Sequence, residues 1–259
     1  MIITEDHADL ETATGTMRTF RFRPAFAGKY PGILLFSEIY QMTGPIARTA
    51  RLLAGHGYIV AVPEIYHEFE PPGTPFDYDQ EGTDKGNKYK IDKEISAYDS
   101  DARAVLDHLA GLPECDGRLG TLGICIGGHL AFRAAMNPDV VAAVCFYATD
   151  IHKGSLGKGM KDDSLARAGA GEITGELMMI WGLQDRHVPR EGRELIHKTL
   201  LDAGTTVTWH EFNARHAFLR DEGYRYNPAL ARICMEMALE LFHRKLQIGE
   251  PLETPVAQP

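Results

Sequence analysis

Apolar residues along this chain fall in short runs, separated by longer stretches in which they recur every three or four positions. "PGILLFS" (31–37), "YIVAVPE" (58–64), "RLGTLGI" (118–124), "VVAAVCFYA" (140–148), "ELMMIWG" (176–182) and "TVTWHEF" (206–212) each predict a strand. Helices are predicted over 44–57, 90–112, 127–137, 190–204 and 227–246. Within 90–112, Ile91, Ile95, Tyr98, Ala102, Val105, Leu106 and Leu109 share one face. Strands apolar on both sides, alternating with helices, predict an α/β fold: a mostly parallel twisted sheet with helices on both faces.

The pattern shows no internal repeat and no linker midway. It therefore predicts a single domain over 1–247, followed by a loose tail, "IGEPLETPVAQP" (248–259). Two polar stretches interrupt the rhythm, 66–89 and 149–173. The first is too long for an ordinary connection, which predicts that it covers a site.

Composition narrows the function. The chain has 259 residues, of which 44% are hydrophobic and 24% charged, enough to bury a large core without disulfide staples. Its formal net charge of -9 argues against nucleic acid or an anionic membrane as a partner. The first residues, "MIITEDHADLETATG", lack the basic and apolar regions of a signal peptide, and no run approaches the ~18 apolar residues of a membrane span. A cytoplasmic protein with reduced thiols is expected. The four cysteines, Cys115, Cys125, Cys145 and Cys234, form no CxxC pair and no zinc-like spacing, so three of them are expected in the core.

Cys125 is different. It stands at the end of a predicted strand in "GTLGICIGGHLAFRAA" (120–135), between Gly123 and Gly127, with Gly128 next. G-x-C-x-G has the spacing of the G-x-S-x-G nucleophile elbow, in which small neighbours let the chain pass close to a strained turn. A thiol there sits at a helix start, where the partial positive charge lowers its pKa. The Ile126 N–H, free at that same helix start, can receive a developing oxyanion. The plainer reading is a glycine-rich turn with an incidental cysteine. A dinucleotide loop is disfavoured, since "GICIGG" does not match GxGxxG.

A nucleophilic thiol needs a base and a group to orient that base. Asp185 follows an apolar strand in "MMIWGLQDRHVPREG", and His216 lies after the last strand in "HEFNARHAFLRDEG". The order Cys125, Asp185, His216 is the nucleophile, acid, histidine order of the elbow enzymes. His187 is a rival base, ranked lower because a residue two places from the acid seldom faces it across a cleft. His56 reads as a helix-end residue and His129 as one packed at the start of its helix.

These residues resemble the dienelactone hydrolase (carboxymethylenebutenolidase) family of the α/β-hydrolase superfamily. The similarity spans about residues 16–246 and rests on "LLFSEIYQMTG", "GYIVAVPEIYH", "GICIGGHLAFRAA", "WGLQDRHVP" and "RHAFLRD". The resemblance implies an α/β-hydrolase fold and hydrolysis of a carboxylic ester or lactone, the carboxylate-bearing kind included. It implies a monomer, and neither metal nor organic cofactor. Cys125 would be the nucleophile, His216 the general base and acid, and Asp185 its orienter. Glu38 matches the family glutamate that contacts the resting thiol. The N–H of Ile39 would join that of Ile126 in the oxyanion hole. Arg220 matches an arginine that holds a substrate carboxylate. A second such arginine of the family is missing here; Lys85, Lys88 and Lys90 stand in that region, and Lys88 is taken as substrate-binding. Lysine lacks the guanidinium fork, so the substrate need not be a dienelactone.

Three rivals remain at this point. One is a broad carboxylesterase or thioesterase acting on neutral esters. The second is a binding protein that retains the elbow without catalysis. The third is a redox protein using Cys125.

Overall fold

The computed structural model describes residues 1–248, so the predicted tail beyond Ile248 lies outside the described residues. The chain opens with β1 (Ile3–Thr12) and β2 (Gly15–Pro24), an antiparallel hairpin. β2 runs antiparallel to β4 (Ile59–Pro63). β4 continues into a parallel set with β3 (Tyr30–Phe36), β5 (Cys115–Ile124), β6 (Val140–Phe146), β7 (Glu176–Gly182) and β8 (Val207–Phe212). The sheet order is β1-β2-β4-β3-β5-β6-β7-β8.

Successive strand residues feed opposite faces, as the period of two requires. Leu35, Val60, Leu122, Val144 and Ile180 pack with Ala50 and Leu53 of α1 (Gly44–Gly55) and with Cys234 and Leu241 of α7 (Pro228–Phe242). Leu34, Phe36, Leu119, Cys145 and Met179 pack on the other side. There they meet Val105 and Leu106 of α3 (Ile95–Gly111), Leu130 of α4 (Ile126–Ala134) and Ile196 of α6 (Arg190–Asp202). Burying one such side chain contributes roughly 1.5–3 kcal/mol. Cys115, Cys145 and Cys234 are buried and all four thiols are free, whereas Cys125 is only half-buried.

The sequence pattern did not expose the N-terminal hairpin, because its outer strand is polar. Ion pairs replace a hydrophobic signal: Asp6 lies opposite Arg21 and Asp9 opposite Arg18, with contacts of 2.7 and 2.9 Å.

The helix predicted over 90–112 is two helices, α2 (Gln80–Asp92) and α3. Lys93 and Glu94 between them are extended, with ψ of 138° and 144°. The break lets the Lys93 ammonium turn inward, to 2.6 Å from Asp101 and 2.7 Å from Glu68, with no exposed side-chain surface. Residues 80–89 of the polar stretch 66–89 are helix α2, laid over the carboxyl ends of the strands beside Ile39 and Tyr40. The stretch 149–173 holds two single turns and α5 (Ser164–Gly169).

Candidate active site

Cys125 links β5 to α4 in a left-handed conformation, φ 64° and ψ −119°. A non-glycine residue there carries backbone strain, and such strain gathers at functional positions. The glycines around it are required by close approach. A Cβ on Gly123 would lie 1.8 Å from the Gly127 carbonyl oxygen, and one on Gly127 would lie 2.4 Å from that of Phe36. A Cβ on Gly128 would lie 2.7 Å from the Phe146 carbonyl oxygen. The turn is held by the Cys125 N–H, which donates to Phe146 O at 3.1 Å, and by the Cys125 carbonyl, which accepts from Gly128 and Thr149.

Asp185 and His216 arrive from the loops after β7 and β8. The His216 Nδ1 meets Asp185 Oδ2 at 2.6 Å, and the other carboxylate oxygen accepts from the His187 N–H at 2.8 Å. Asp185 is buried, yet those hydrogen bonds and the charge on His216 outweigh desolvation and hold its pKa below the ordinary value. Burial works against charge on His216 too. The negative charge of Cys125, the hydrogen bond to Asp185 and a hydrogen bond to Cys125 prevail and raise its pKa. The imidazole therefore favours its charged form when the thiol is ionised. Its ring lies 4.8 Å from that of Tyr147 and 4.5 Å from that of His187. The His187 pKa is lowered by partial burial and by the neighbouring His216 charge.

Cys125 and His216 open on a cavity of about 270 Å³, lined also by Glu38, Ile39, Arg220, His187 and, across from them, α2, while Asp185 is buried behind the imidazole. Ile126 is the first residue of α4, where helix geometry leaves its N–H without an intrahelical acceptor. The Ile39 N–H has no backbone acceptor among the described residues. Glu38 is buried; desolvation raises its pKa against the pull of Arg220, His216 and Arg225. Its ion-pair partner is Arg220, at 3.6 Å. Arg220 also lies over the Tyr78 ring at 4.2 Å and donates from Nε to Glu222 O.

Lys88 does not reach this cavity. Its side chain is 67% exposed and pairs with Asp92. Lys90 lines the cavity instead, with its ammonium 2.8 Å from Asp150. The reason is helical phase: Thr83, Asn87 and Lys90 recur at i, i+4 and i+7 and face inward together, and Lys88 falls off that stripe. That spacing was present in the sequence but needed α2 to be recognised. Tyr40, inside the quoted stretch "LLFSEIYQMTG", also lines the cavity, as do Thr149, Asp150 and Arg225 from loops that carry no motif.

His129 is buried behind the elbow, 2.7 Å from Ser164 Oγ, as its expected packing role requires. Asp185, His187 and His216 are close enough to gather a metal ion, although Asp185 and His216 already engage one another. His67, Glu68 and Asp101 form a second such group, with the Lys93 ammonium among them. A larger groove of about 420 Å³ between α1 and α7 contains none of the reactive side chains. Among the described residues, no helix is long and apolar enough to cross a membrane.

Residues 17–246 match the sequence model of the dienelactone hydrolase family. A Saccharomyces cerevisiae protein named as a candidate carboxymethylenebutenolidase is 45% identical over 259 residues, covering 96% of this chain and 94% of that protein. The carboxymethylenebutenolidase of Pseudomonas sp. strain P51 is 26% identical, covering 86% of this chain and 88% of its own length. Among solved structures, a Klebsiella pneumoniae protein described as a candidate dienelactone hydrolase superposes with a TM-score of 0.82 at 22% identity. That match covers 94% of this chain and 100% of the other, and it establishes likeness of fold.

Proposed function

The chain belongs to the dienelactone hydrolase family, whose members hydrolyse esters or lactones, and on that premise we propose that it is a cysteine hydrolase working through a thioester on Cys125. The observation that carries this reading is the half-buried thiol on a strained strand–helix turn, beside an imidazole held at 2.6 Å by a buried carboxylate.

Ionised Cys125 attacks the carbonyl carbon of a small ester or lactone, forming a C–S bond. The Ile126 and Ile39 N–H groups receive the oxyanion. Collapse breaks the C–O bond, and the leaving alkoxide takes a proton from the His216 imidazolium. Neutral His216 then removes a proton from water, which attacks the thioester. The carboxylic acid departs and Cys125 regains its thiolate beside imidazolium. Asp185 keeps the imidazole oriented throughout. On this reading Arg220 meets a substrate carboxylate in two parallel hydrogen bonds. Such a group would compete with Glu38 for the guanidinium and displace the Glu38 carboxylate.

The test is a rapid-mixing experiment with 4-nitrophenyl acetate. A burst of nitrophenolate near one equivalent per chain, missing in Cys125→Ala together with at least about a 10⁴-fold loss of turnover, is the expected result. Wild-type activity in that variant would contradict the proposal.

A further inference from the structure

His216 has an imidazole neighbour. The His187 ring centroid lies 4.5 Å from that of His216, with the planes inclined at 55°. The His187 N–H donates to Asp185 Oδ1 at 2.8 Å, so the carboxylate that holds His216 also fixes the backbone from which His187 projects. Val188, next in the chain, is fully buried and anchors the same turn. Other polar side chains of the cavity are engaged with one another: Glu38 with Arg220, Lys90 with Asp150, Tyr40 with Thr83. The ring nitrogens of His187 form no hydrogen bond among the described residues.

His187 is exposed yet belongs to the cavity wall, which puts it where the cavity meets solvent. A ring nitrogen of His187, a ring nitrogen of His216 and a carboxylate oxygen of Asp185 lie within 4.8 Å of one another. A separation of up to about 5 Å is what one water spans with two hydrogen bonds of about 2.8 Å. Partial burial and the His216 charge lower the His187 pKa, which favours the neutral ring with one nitrogen lone pair open.

We propose that His187 holds the hydrolytic water of the deacylation step, as a catalytic residue beside His216. The inference rests on the thioester reading and adds to it. The water oxygen attacks the thioester carbonyl carbon while one of its protons passes to His216 Nε2. The other hydrogen points at the His187 lone pair. The adduct then expels the Cys125 thiolate, breaking the C–S bond, and the second hydrogen leaves on the carboxylic acid. An alcohol in the place of water has only the proton that His216 takes and none for His187. The wild-type site should therefore favour water over methanol, molecule for molecule.

Rapid mixing with 4-nitrophenyl acetate, repeated with methanol present, tests this. In His187→Ala the nitrophenolate burst should keep its rate and its amplitude near one equivalent per chain. Without methanol, the steady rate that follows should fall about ten- to a hundredfold, the scale of one hydrogen bond to a group acquiring charge. With methanol, the ratio of methyl acetate to acetate should rise by a similar factor, since only hydrolysis uses His187. His187→Gln, whose amide oxygen can accept, should fall between. A merely structural loss would slow both phases and leave the product ratio alone. An unchanged ratio in both variants overturns the assignment of His187 and leaves the thioester reading intact. No burst and no acyl transfer to methanol in the wild-type enzyme overturns both.

Discussion

Cys125 was legible in the sequence because its neighbours are constrained by contact. Gly123 lies so near the Gly127 carbonyl that a methyl group cannot fit without moving backbone. Gly123→Ala is therefore expected to destabilise the fold by about 2–3 kcal/mol or more, read from a urea midpoint, and to lower activity by misplacing the thiol. Asp185→Asn should lower kcat roughly 10²- to 10⁴-fold with the chain still folded, since the imidazole loses its orienter. The same variant has a stability signature. The His216 pKa is raised above 6.5, burial opposing and the Cys125 charge and Asp185 hydrogen bond prevailing. A raised folded value adds stability that is fully present below the unfolded value and is lost as pH rises through the folded one. The cost of Asp185→Asn should thus be largest near about pH 6 and shrink in alkali, as denaturation at the two ends would show. Lys88 was misplaced from the sequence, since its helical phase could not be known until α2 was seen.

Elements with strong apolar periods were readable and polar ones were not. β3 to β8, α1, α4, α6 and α7 lie close to their expected positions because burial of one stripe or both strand faces determines them. α2 went unseen because its residues are mostly polar and only Gly82 and Gly86 are buried. It is held instead by its ends. Asp79 caps it, its side chain accepting from the Gly82 N–H, and Lys93 anchors the junction with α3. Lys93→Met would leave Asp101 and Glu68 without their cation. A loss of about 3–5 kcal/mol is expected, with faster amide exchange in α2. Since α2 supplies Thr83, Asn87 and Lys90 to the cavity, KM for small esters should rise with it. Unchanged exchange in α2 would show that its anchor lies elsewhere.

At the scale of the whole molecule, the parallel sheet places the carboxyl ends of β3, β5, β7 and β8 on one edge, and the candidate catalytic residues follow them there. An open α/β sheet concentrates chemistry at that edge. The antiparallel hairpin does different work, covering the flank of β4. Removing residues 1–27 should expose that flank as an unpaired strand edge. The truncated chain is expected to aggregate at concentrations where the full chain does not, which light scattering would detect. Acyl transfer through the Cys125 sulfur is read from the mass of enzyme quenched during turnover of 4-nitrophenyl acetate. One acetyl group on the peptide that contains Cys125 is predicted, absent from Cys125→Ala. Acetyl on a serine, or an unmodified Cys125 during demonstrable turnover, would contradict the account.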